Sequence, residues 1–347
     1  MNRSLPSSIL FICDFEPGFF GSKHHTTGVG GTEAMVVVLA EALAARGIAV
    51  TVATPLERSD CERVVYQPIG SARPRDADVT VLVKRWSDAA IEAGPARVFL
   101  ATDVHVPDPG MFARCLEWST HSLALSPFMR QQLQAVVPAS GMGILSPPLA
   151  LEDYPANENA RDPVMLYCSV PDRGLYYLKD LFPAIRKRVP AATLVITSDF
   201  TLWGRAPAKS AFMRFFEHQQ GIEYLGHVGR SQLIVEQQRA RVMAYPCTFE
   251  EGFCISAAEC MAAGAVPVTT NAFALQTTVG DAGVLIDGRP RSWFYRRRFV
   301  KAAAALLTDD RQWRERSQAC RRRAETYSSA AVAERFLGVV TGSSAIA

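Results

Sequence analysis

Short apolar runs alternate along the chain with longer segments in which apolar residues recur at helical spacing. In the first half, the short runs predict strands at residues 8–15, 48–54, 79–83, 97–101 and 123–126. Between the first two, the helical spacing predicts a helix over residues 32–46, and Gly47 ends it. Strands that alternate with helices in this way are typical of a parallel sheet with helices on both faces.

A polar stretch with four prolines, residues 146–163, interrupts this alternation and predicts a linker between domains. Beyond it, strands are predicted at residues 164–169, 193–198, 222–225, 242–246, 266–270 and 284–286. Helices are predicted at residues 175–188, 209–219, 231–239 and 254–264, and the chain after the last strand is mainly helical to about residue 342. The pattern therefore predicts an α/β protein of two Rossmann-like domains, whose parallel sheets face each other across a cleft. We expect the domains at residues 1–148 and 164–325, the linker at 149–163, and a helix at 326–347 that packs back on the first domain.

The composition is that of a globular protein with enough apolar residues for two cores. The chain has 347 residues, of which 48% are hydrophobic, and a formal net charge of +3, which gives no reason to expect nucleic acid as a partner. Its eight cysteines are scattered, without a C-x-x-C pair or a Cys/His cluster, so we expect reduced thiols, no metal site and a cytoplasmic protein. The first apolar run, residues 9–13, is too short for a signal peptide or a membrane span.

Two glutamates lie around the start of the helix predicted at residues 254–264. Glu251 follows the strand at 242–246, and Glu259 lies about a turn and a half inside the helix. The backbone N–H groups of residues 253–256 would attract an anion such as a diphosphate. The two carboxylates would then accept hydrogen bonds from hydroxyls at the two ends of an elongated ligand. The alternative is that Glu251 caps the helix and that Glu259 is solvated.

The stretch from residue 242 to residue 268 resembles the E-x7-E signature of the retaining glycosyltransferases of family 4, which have the two-domain GT-B architecture. The positions that carry the resemblance are Pro246, Glu251, Gly252, Phe253, Ile255, Glu259, Met261, Ala262, Gly264, Pro267 and Val268. The resemblance implies that Glu251 contacts the donor sugar and that Glu259 binds the nucleotide ribose. It also implies donor contacts from the residues at the helix start, namely Gly252, Phe253, Cys254 and Ile255.

Arg173 follows the first strand of the second domain and is the candidate for neutralising the diphosphate. The family usually has an arginine and then, a few residues later, a lysine before a glycine, and Arg173 fits the second of these positions. Cys168 and Ser169 stand where the first should be, which leaves the source of a second positive charge open. Lys179 is the nearest in sequence, although it falls inside a predicted helix. The alternative for Arg173 is a surface ion pair with Asp172, which would contribute little.

A glycine-rich loop precedes the first helix. A dinucleotide-binding fingerprint would need a third glycine where Glu33 stands and a place directly after the first strand, so we expect no dehydrogenase site. Gly30 and Gly31 still allow a phosphate or a sugar to approach the backbone, and in the family this loop faces the donor. His24 and His25 lie in the long loop before them, where they would either line a ligand or be solvated.

Asp103 and His105 follow the strand predicted at residues 97–101. The alternation of side chains along an extended backbone would put both on one side, at the strand end where ligands of such sheets bind. The family commonly has an acidic residue or a histidine here, beneath the donor sugar. His105 is therefore the candidate to hydrogen-bond a sugar hydroxyl or to take up the proton of the acceptor, against the alternative of a structural histidine.

Residues 289–323 are strongly basic, with twelve Lys and Arg against three acids, and Trp293, Phe294 and Tyr295 lie among them. Such a run binds an anionic membrane surface or an anionic acceptor, or it forms the solvated face of a helix. The first alternative would place the protein at the inner surface of the membrane as a peripheral protein.

The residues and the resemblance favour a retaining glycosyltransferase of the hexosyltransferase type, which uses a UDP- or GDP-type sugar and needs no obligatory metal or other cofactor. Its acceptor would be a glycan, a lipid-linked molecule or a small molecule, in the synthesis of a cell-surface polysaccharide or glycoconjugate. One alternative is a nucleotide-sugar 2-epimerase of the same architecture. Another is a non-catalytic subunit that binds a nucleotide sugar, because the first basic position is empty.

Overall fold

A computed structural model describes residues 4–15, 29–55, 59–61, 63–138, 141–156, 159–200 and 211–343. The described residues fall into two compact units. The first takes the residues up to Leu149 together with those from Tyr327 onward, and the second takes those between 150 and 326. His24 and His25, named above as candidates, lie outside the described residues.

The first unit is built on one sheet. Its strands are β1 (Ser8–Ile12), β2 (Ala49–Thr54), β3 (Ser59–Cys61), β4 (Val64–Pro68), β5 (Val79–Val83), β6 (Ala96–Leu100), β7 (His121–Ala124) and β8 (Gly143–Ile144). They form an eight-stranded sheet in the order β3-β4-β2-β1-β5-β6-β7-β8, in which β3 is antiparallel to β4 and the other pairs are parallel. All five residues of β5 are buried, as expected for an apolar strand covered by helices on both faces.

Among the described residues of this unit, three α-helices connect these strands. They are α1 (Gly31–Ala44), α2 (Pro109–Trp118) and α3 (Pro127–Val136). The last two share one local cause: a proline in the first position, preceded by a residue whose side chain caps the helix. The carboxylate of Asp108 accepts from the N–H of Met111 at 2.9 Å, and the hydroxyl of Ser126 accepts from the N–H of Met129 at 3.1 Å.

The second unit also consists of a sheet and its covering helices. The strands are β9 (Val164–Tyr167), β10 (Thr193–Ile196), β11 (Ile222–Tyr224), β12 (Val242–Tyr245), β13 (Val266–Thr270) and β14 (Val284–Ile286). The helices are α4 (Leu175–Arg186), α5 (Ala211–Glu217), α6 (Arg230–Arg239), α7 (Ile255–Ala263), α8 (Leu275–Thr278), α9 (Trp293–Thr308) and α10 (Asp310–Glu325). The sheet is parallel throughout, in the order β11-β10-β9-β12-β13-β14. The chain therefore builds outward from β9 to β11, returns to β12 and builds outward on the other side, which makes the β9/β12 boundary the switch point of a Rossmann fold.

The last helix, α11 (Ser329–Thr341), belongs to the first unit. It packs on α1 and on the core, where the ring of Phe336 stacks on that of Phe11 with the centroids 6.4 Å apart. Just before it, Ser328 forms a parallel β-bridge with Leu149. The first and the last of the described residues thus belong to the same unit.

Residues 150–163, whose polar composition suggested a linker, belong to the second unit. Tyr154 and Arg161 are buried there. The guanidinium of Arg161 donates to the carbonyl oxygens of Ala240 and Ala263, each at 2.6 Å. These bonds satisfy carbonyls at the ends of two helices, where the helices themselves provide no donor.

The structure confirms the predicted α/β class. It differs from the prediction in where one strand ends and in short strands that were not predicted. β1 ends at Ile12 rather than at residue 15, because β2 and β5 pair with it only as far as Ile12. The strands β3, β4 and β8 were not predicted, since they are short and lack a continuous apolar run; β3 and β8 are the two edges of the sheet. None of the helices in the described parts of the chain has both the length and the apolar character that a membrane crossing requires.

Candidate functional site

The crevice at the switch point of the second sheet is where parallel sheets of this kind bind ligands. Two segments begin there: residues 168–174 connect β9 to α4, and residues 246–254 connect β12 to α7. Because β9 and β12 are parallel neighbours, both segments start at the same edge of the sheet. The first segment carries Arg173, and the second carries Glu251.

Arg173 and Glu251 form an ion pair in this crevice. Nη1 of Arg173 lies 3.1 Å from Oε1 and 3.3 Å from Oε2 of Glu251. The Glu251 side chain is 6% exposed and that of Arg173 26% exposed. The guanidinium also lies over the ring of Phe249, 4.1 Å from its centroid, in a cation–π contact. Arg173 thus pairs across the crevice with Glu251, whereas the surface pair with Asp172 is not found among the described residues.

Buried hydroxyl groups also hold the Glu251 carboxylate in place. Tyr245, at the end of β12, donates a hydrogen bond to Oε1 of Glu251, and Ser169 donates to the Tyr245 hydroxyl at 3.2 Å. Burial, and then the charge of Glu251, raises the pKa of Tyr245 well above its ordinary value, so its hydroxyl keeps the proton that it donates. Burial lowers the pKa of Arg173, but Glu251 and Tyr245 raise it, and the net shift of this pKa is upward. Arg173 therefore stays charged.

The two segments approach each other so closely that only glycine fits at position 174. Gly174 has a φ of +155°, and a Cβ there would lie 2.5 Å from the carbonyl oxygen of Pro246. Beside it, the N–H of Thr248 donates to the carbonyl oxygen of Arg173 at 3.1 Å. This close contact positions the backbone of Arg173 against the segment that carries Glu251.

Helix α7 begins without a side-chain cap. Cys254 occupies the N-cap with a φ of +77°, a left-handed conformation that is uncommon for a residue with a Cβ. Its carbonyl oxygen accepts from the N–H groups of Ala257 and Ala258, at 3.1 and 3.3 Å. The N–H groups of Ile255 and Ser256 lie in the first turn, for which an α-helix has no acceptor of its own. The start of α7 is therefore suited to binding an anion at the edge where the ion pair lies.

Glu259, on α7, is buried within a network of polar side chains. Its Oε1 lies 2.5 Å from Nη1 of Arg230, and its Oε2 accepts from Nε2 of Gln237 at 3.2 Å. Gln237 in turn accepts from the hydroxyl of Tyr154 at 2.9 Å, and Arg230 lies 3.4 Å from a carboxylate oxygen of Asp153. Glu259 is thus held in a fixed position and is not a solvated helical residue.

Sequence reasoning missed these partners of Glu259. Arg230 starts another helix 29 positions away, and Tyr154 lies in the segment taken for a linker. One signal was present, because a cation in the first turn of a helix is unfavourable and suggests a partner elsewhere. Burial lowers the pKa of Arg230, but the charge of Glu259 raises it, and the net shift of this pKa is upward.

Lys179, the candidate for a second positive charge, lies at another place in the unit, and the residues at the family's first basic position are neutral. Lys179 lies within α4, where its Nζ is 5.3 Å from the centroid of the Phe215 ring, and it lines a cavity of about 330 Å³. At the first basic position of the family, Sγ of Cys168 lies 3.6 Å from Sγ of Cys260, and Ser169 supports Tyr245. Among the described residues, Arg173 is thus the cation that the structure brings to Glu251.

In the first unit, several candidates lie near the carboxyl ends of the strands. Asp103 and His105 follow β6 and are exposed, and a carboxylate oxygen of Asp103 lies 3.0 Å from Nζ of Lys84. Glu33, in the first turn of α1, is buried, and burial raises the pKa of its carboxyl group while Lys84 offsets part of this shift. A Cβ at Gly30 would overlap the Glu33 carboxylate, so the end of the Glu33 side chain would have to move to admit one. Gly31 is the first residue of α1.

Residues 162–309 match the family model described as Glycosyl transferases group 1. This part of the chain is similar to the glycosyltransferases of group 1. The matched residues include β9 to β14 and therefore Arg173, Glu251 and Glu259, whereas Asp153 and Tyr154 lie before them. The prediction of a glycosyltransferase is confirmed at this level. Among proteins with curated descriptions, none matches the sequence significantly.

The fold of the chain is similar to solved glycosyltransferase structures. WaaG, a glycosyltransferase involved in lipopolysaccharide biosynthesis, is 16% identical with a TM-score of 0.69, over 96% of this chain and 100% of that one. Anabaena HepE, solved in complex with UDP-glucose, is 14% identical with a TM-score of 0.70, over 96% and 99% of the two chains. Sucrose-phosphate synthase from Thermosynechococcus elongatus is 16% identical with a TM-score of 0.69, over 96% and 98%. These similarities confirm the predicted GT-B architecture.

Proposed function

We propose that this protein is a retaining glycosyltransferase of family 4, which transfers a hexose from a UDP- or GDP-type donor to a glycan, lipid-linked or small-molecule acceptor. The observation that carries the proposal is the Arg173–Glu251 ion pair at the switch point, next to the uncapped start of α7. We place the activity in the cytoplasm, in the synthesis of a cell-surface polysaccharide or glycoconjugate. That no metal is required stays a prediction.

The bond to be broken joins the anomeric carbon of the sugar to an oxygen of the diphosphate. In the transition state, positive charge develops on the sugar and negative charge on the leaving phosphate, so the site must stabilise an anion. Arg173 and the N–H groups of Ile255 and Ser256 are the donors for this charge. Both bonds from Arg173 to Glu251 use Nη1, and a guanidinium carries five N–H donors, so Nη2 and Nε remain chemically able to bind a phosphate oxygen.

Glu251 would accept hydrogen bonds from hydroxyls of the donor sugar. Its carboxylate is buried and held by Tyr245 and Arg173, so it is pre-organised and needs no rearrangement when the sugar arrives. Retention of configuration requires that the acceptor oxygen bonds to the anomeric carbon on the face from which the phosphate leaves. The acceptor hydroxyl loses its proton in this step, and His105 is the residue that we propose to receive it.

Glu259 would bind the two hydroxyls of the ribose. Arg230 bonds to one of its oxygens and Gln237 to the other. A carboxylate has about four lone-pair sites on its two oxygens, so each oxygen can accept one further hydrogen bond. The fold neighbours support this type of donor, because HepE was solved in complex with UDP-glucose and with UDP and glucose.

The residue at position 169 favours a second candidate function. Where the family usually has a basic residue, Ser169 is neutral and its hydroxyl is bonded to Tyr245. With Arg173 as the one cationic side chain assigned to the leaving group, the chain would bind a nucleotide sugar without turning it over. The 2-epimerase remains the alternative within the same architecture.

One experiment separates these functions. The purified protein is incubated with a panel of UDP- and GDP-sugars, with and without a mixture of candidate acceptors, while thermal unfolding reports donor binding by mass action. A glycosyltransferase releases nucleoside diphosphate and forms a product with retained anomeric configuration when acceptor is present. Conversion of the donor to a different nucleotide sugar without acceptor would make the protein an epimerase. Stabilisation by a donor without turnover across the acceptor panel would favour the binding subunit.

A further inference from the structure

Two aromatic side chains protrude from the surface at the start of α9. Trp293 is 62% exposed and Phe294 is 70% exposed, and no other large apolar residue in the described parts of the chain is as exposed as either. Their rings meet edge to face with the centroids 5.0 Å apart. The guanidinium of Arg297 lies 5.4 Å from the centroid of the Trp293 ring. Adjacent exposed aromatic residues of this kind are typical of a surface that contacts a partner.

The structure divides the basic run of residues 289–323 into two parts with different surroundings. In α10, Arg316, Arg321 and Arg323 donate hydrogen bonds to backbone carbonyl oxygens of the same unit, so they contribute to its structure. The basic residues around the aromatic pair are instead exposed, and they are Arg289, Arg291, Arg297, Arg298 and Lys301. Arg311, Arg314 and Arg322 on α10 are exposed as well, but the residues around Trp293 and Phe294 combine exposed positive charge with exposed aromatic rings.

Two acids pair with this group of cations. A carboxylate oxygen of Asp180 lies 3.4 Å from Arg296, and one of Asp287 lies 3.9 Å from Arg298. The side chains of both pairs are between 43% and 70% exposed, so these ion pairs are weak. An excess of positive charge therefore remains on this surface.

The sheet places these residues at the same edge as the Arg173–Glu251 pair. β12, β13 and β14 are parallel, so their carboxyl ends lie at one edge, and α9 begins shortly after β14. A cavity of about 370 Å³ lies between the start of α4 and this segment, and it is lined by Tyr176, Tyr177, Asp180, Pro290, Arg291 and Arg296. Two guanidinium groups at such a cavity are suited to binding a phosphate group.

We propose that residues 289–301, the α9 tip, dock this unit onto an anionic phospholipid bilayer. Trp293 and Phe294 enter the interfacial layer, where aromatic side chains are favoured, while the surrounding arginines pair with lipid phosphates. The charge identifies the partner, because a second copy of the tip would bring like charges together, whereas an anionic bilayer presents many phosphates. The inference does not depend on the proposed function, since docking requires no donor or acceptor.

Co-sedimentation with lipid vesicles tests the proposal. We expect the full chain to bind vesicles of phosphatidylcholine with phosphatidylglycerol at least tenfold more tightly than vesicles of phosphatidylcholine alone, and to lose this binding as salt is raised. The double variant Trp293→Ala/Phe294→Ala should bind the anionic vesicles at least tenfold more weakly than the wild type. Arg297→Gln/Arg298→Gln should do the same, and circular dichroism with thermal unfolding verifies that each variant is folded.

Matched controls use residues of similar exposure elsewhere. Val235→Ala removes an apolar side chain that is 57% exposed on α6, and Arg311→Gln/Arg322→Gln removes two exposed charges on α10. Both should bind vesicles like the wild type. Equal binding of the wild type to neutral vesicles, or unchanged binding of the two tip variants, would overturn the proposal. So would a dimer in sedimentation velocity that the Trp293→Ala/Phe294→Ala variant loses, because the tip would then bind a second copy.

Discussion

Nη1 of Arg173 and Oε1 of Glu251 lie 3.1 Å apart, although 78 positions separate the two residues in the sequence. The strands that precede them are β9 and β12. These strands are neighbours because the chain adds β10 and β11 on one side of β9 and then β12 on its other side. In the proposed mechanism, Arg173 donates hydrogen bonds to the diphosphate, and Glu251 accepts hydrogen bonds from the sugar hydroxyls. Each partner should therefore have a separate kinetic signature.

Arg173→Ala should lower turnover strongly, because the leaving diphosphate loses its charged donor. Arg173→Lys should recover part of the activity, since lysine keeps the charge but lacks the planar fork. The measurement is kcat with the nucleotide sugar that the panel of UDP- and GDP-sugars identifies, and Arg322→Ala, on the exposed face of α10, is the control. Full activity of a folded Arg173→Ala variant would exclude Arg173 from the mechanism, and Lys179→Ala would be measured next.

Glu259→Ala should weaken the binding of a nucleoside diphosphate by roughly 1.5–3 kcal/mol, because the ribose hydroxyls lose a charged acceptor. Glu251→Gln should instead lower turnover more than nucleoside diphosphate affinity, since Glu251 is assigned to the sugar. Calorimetric titration gives the affinities, and thermal unfolding verifies the fold, because Glu259→Ala leaves the buried Arg230 without its main partner. Unchanged affinity of Glu259→Ala would refute the ribose assignment.

Gly174→Ala should destabilise the protein by more than about 1 kcal/mol and lower turnover, because the residue has a positive φ and its Cβ would collide with the carbonyl oxygen of Pro246. Urea denaturation gives the free energy of unfolding. Gly70→Ala is the control, since nothing lies within 4 Å of a Cβ there. Equal stability of the two variants would mean that the segments carrying Arg173 and Glu251 separate at little cost.

His105→Ala should lower turnover by about 10²-fold or more if this side chain accepts the proton of the acceptor hydroxyl. Nucleoside diphosphate affinity should change little, because the residues assigned to the nucleotide belong to the other unit. His105→Asn distinguishes the roles, since asparagine keeps hydrogen bonding but does not carry a proton near neutral pH. If His105→Asn is active, His105 positions a hydroxyl by hydrogen bonding and does not accept the proton. A fully active His105→Ala variant would transfer the assignment to Asp103.

Glu33 should make stability depend on pH. Burial raises the pKa of its carboxyl group in the folded state, so the folded protein keeps this proton at pH values where the unfolded chain has lost it. The contribution of Glu33 to the free energy of unfolding therefore falls as the pH rises from the ordinary value of 4.5 through the folded pKa, and the loss is complete above it. Glu33→Gln should remove this dependence in urea denaturation, whereas Glu334→Gln, whose side chain is 77% exposed, should keep it.

The sequence by itself determined the elements and the class of fold. Strands such as β5, predicted and found at residues 79–83, are apolar runs whose pattern depends on nearest neighbours in the chain. The end of α7 at Gly264 was also predictable, because a left-handed residue after a helix favours glycine at that position. Glu251 was placed at a strand end by the same local reasoning. Ligands bind at the carboxyl ends of parallel strands. This rule and the local patterns together were enough to propose the site.

The partners of the site residues were decided only by the tertiary structure. The sequence offered Asp172, next to Arg173, as an alternative partner to the diphosphate, whereas the folded chain pairs Arg173 with Glu251. For Glu259, the sequence left open a side chain that is exposed to solvent. In the structure, Arg230 and Gln237 instead bond to its buried carboxylate. An ion pair depends on which strands and helices are neighbours, and this order is set by the packing of the whole sheet. Residues far apart along the chain therefore meet without any local pattern that records their contact.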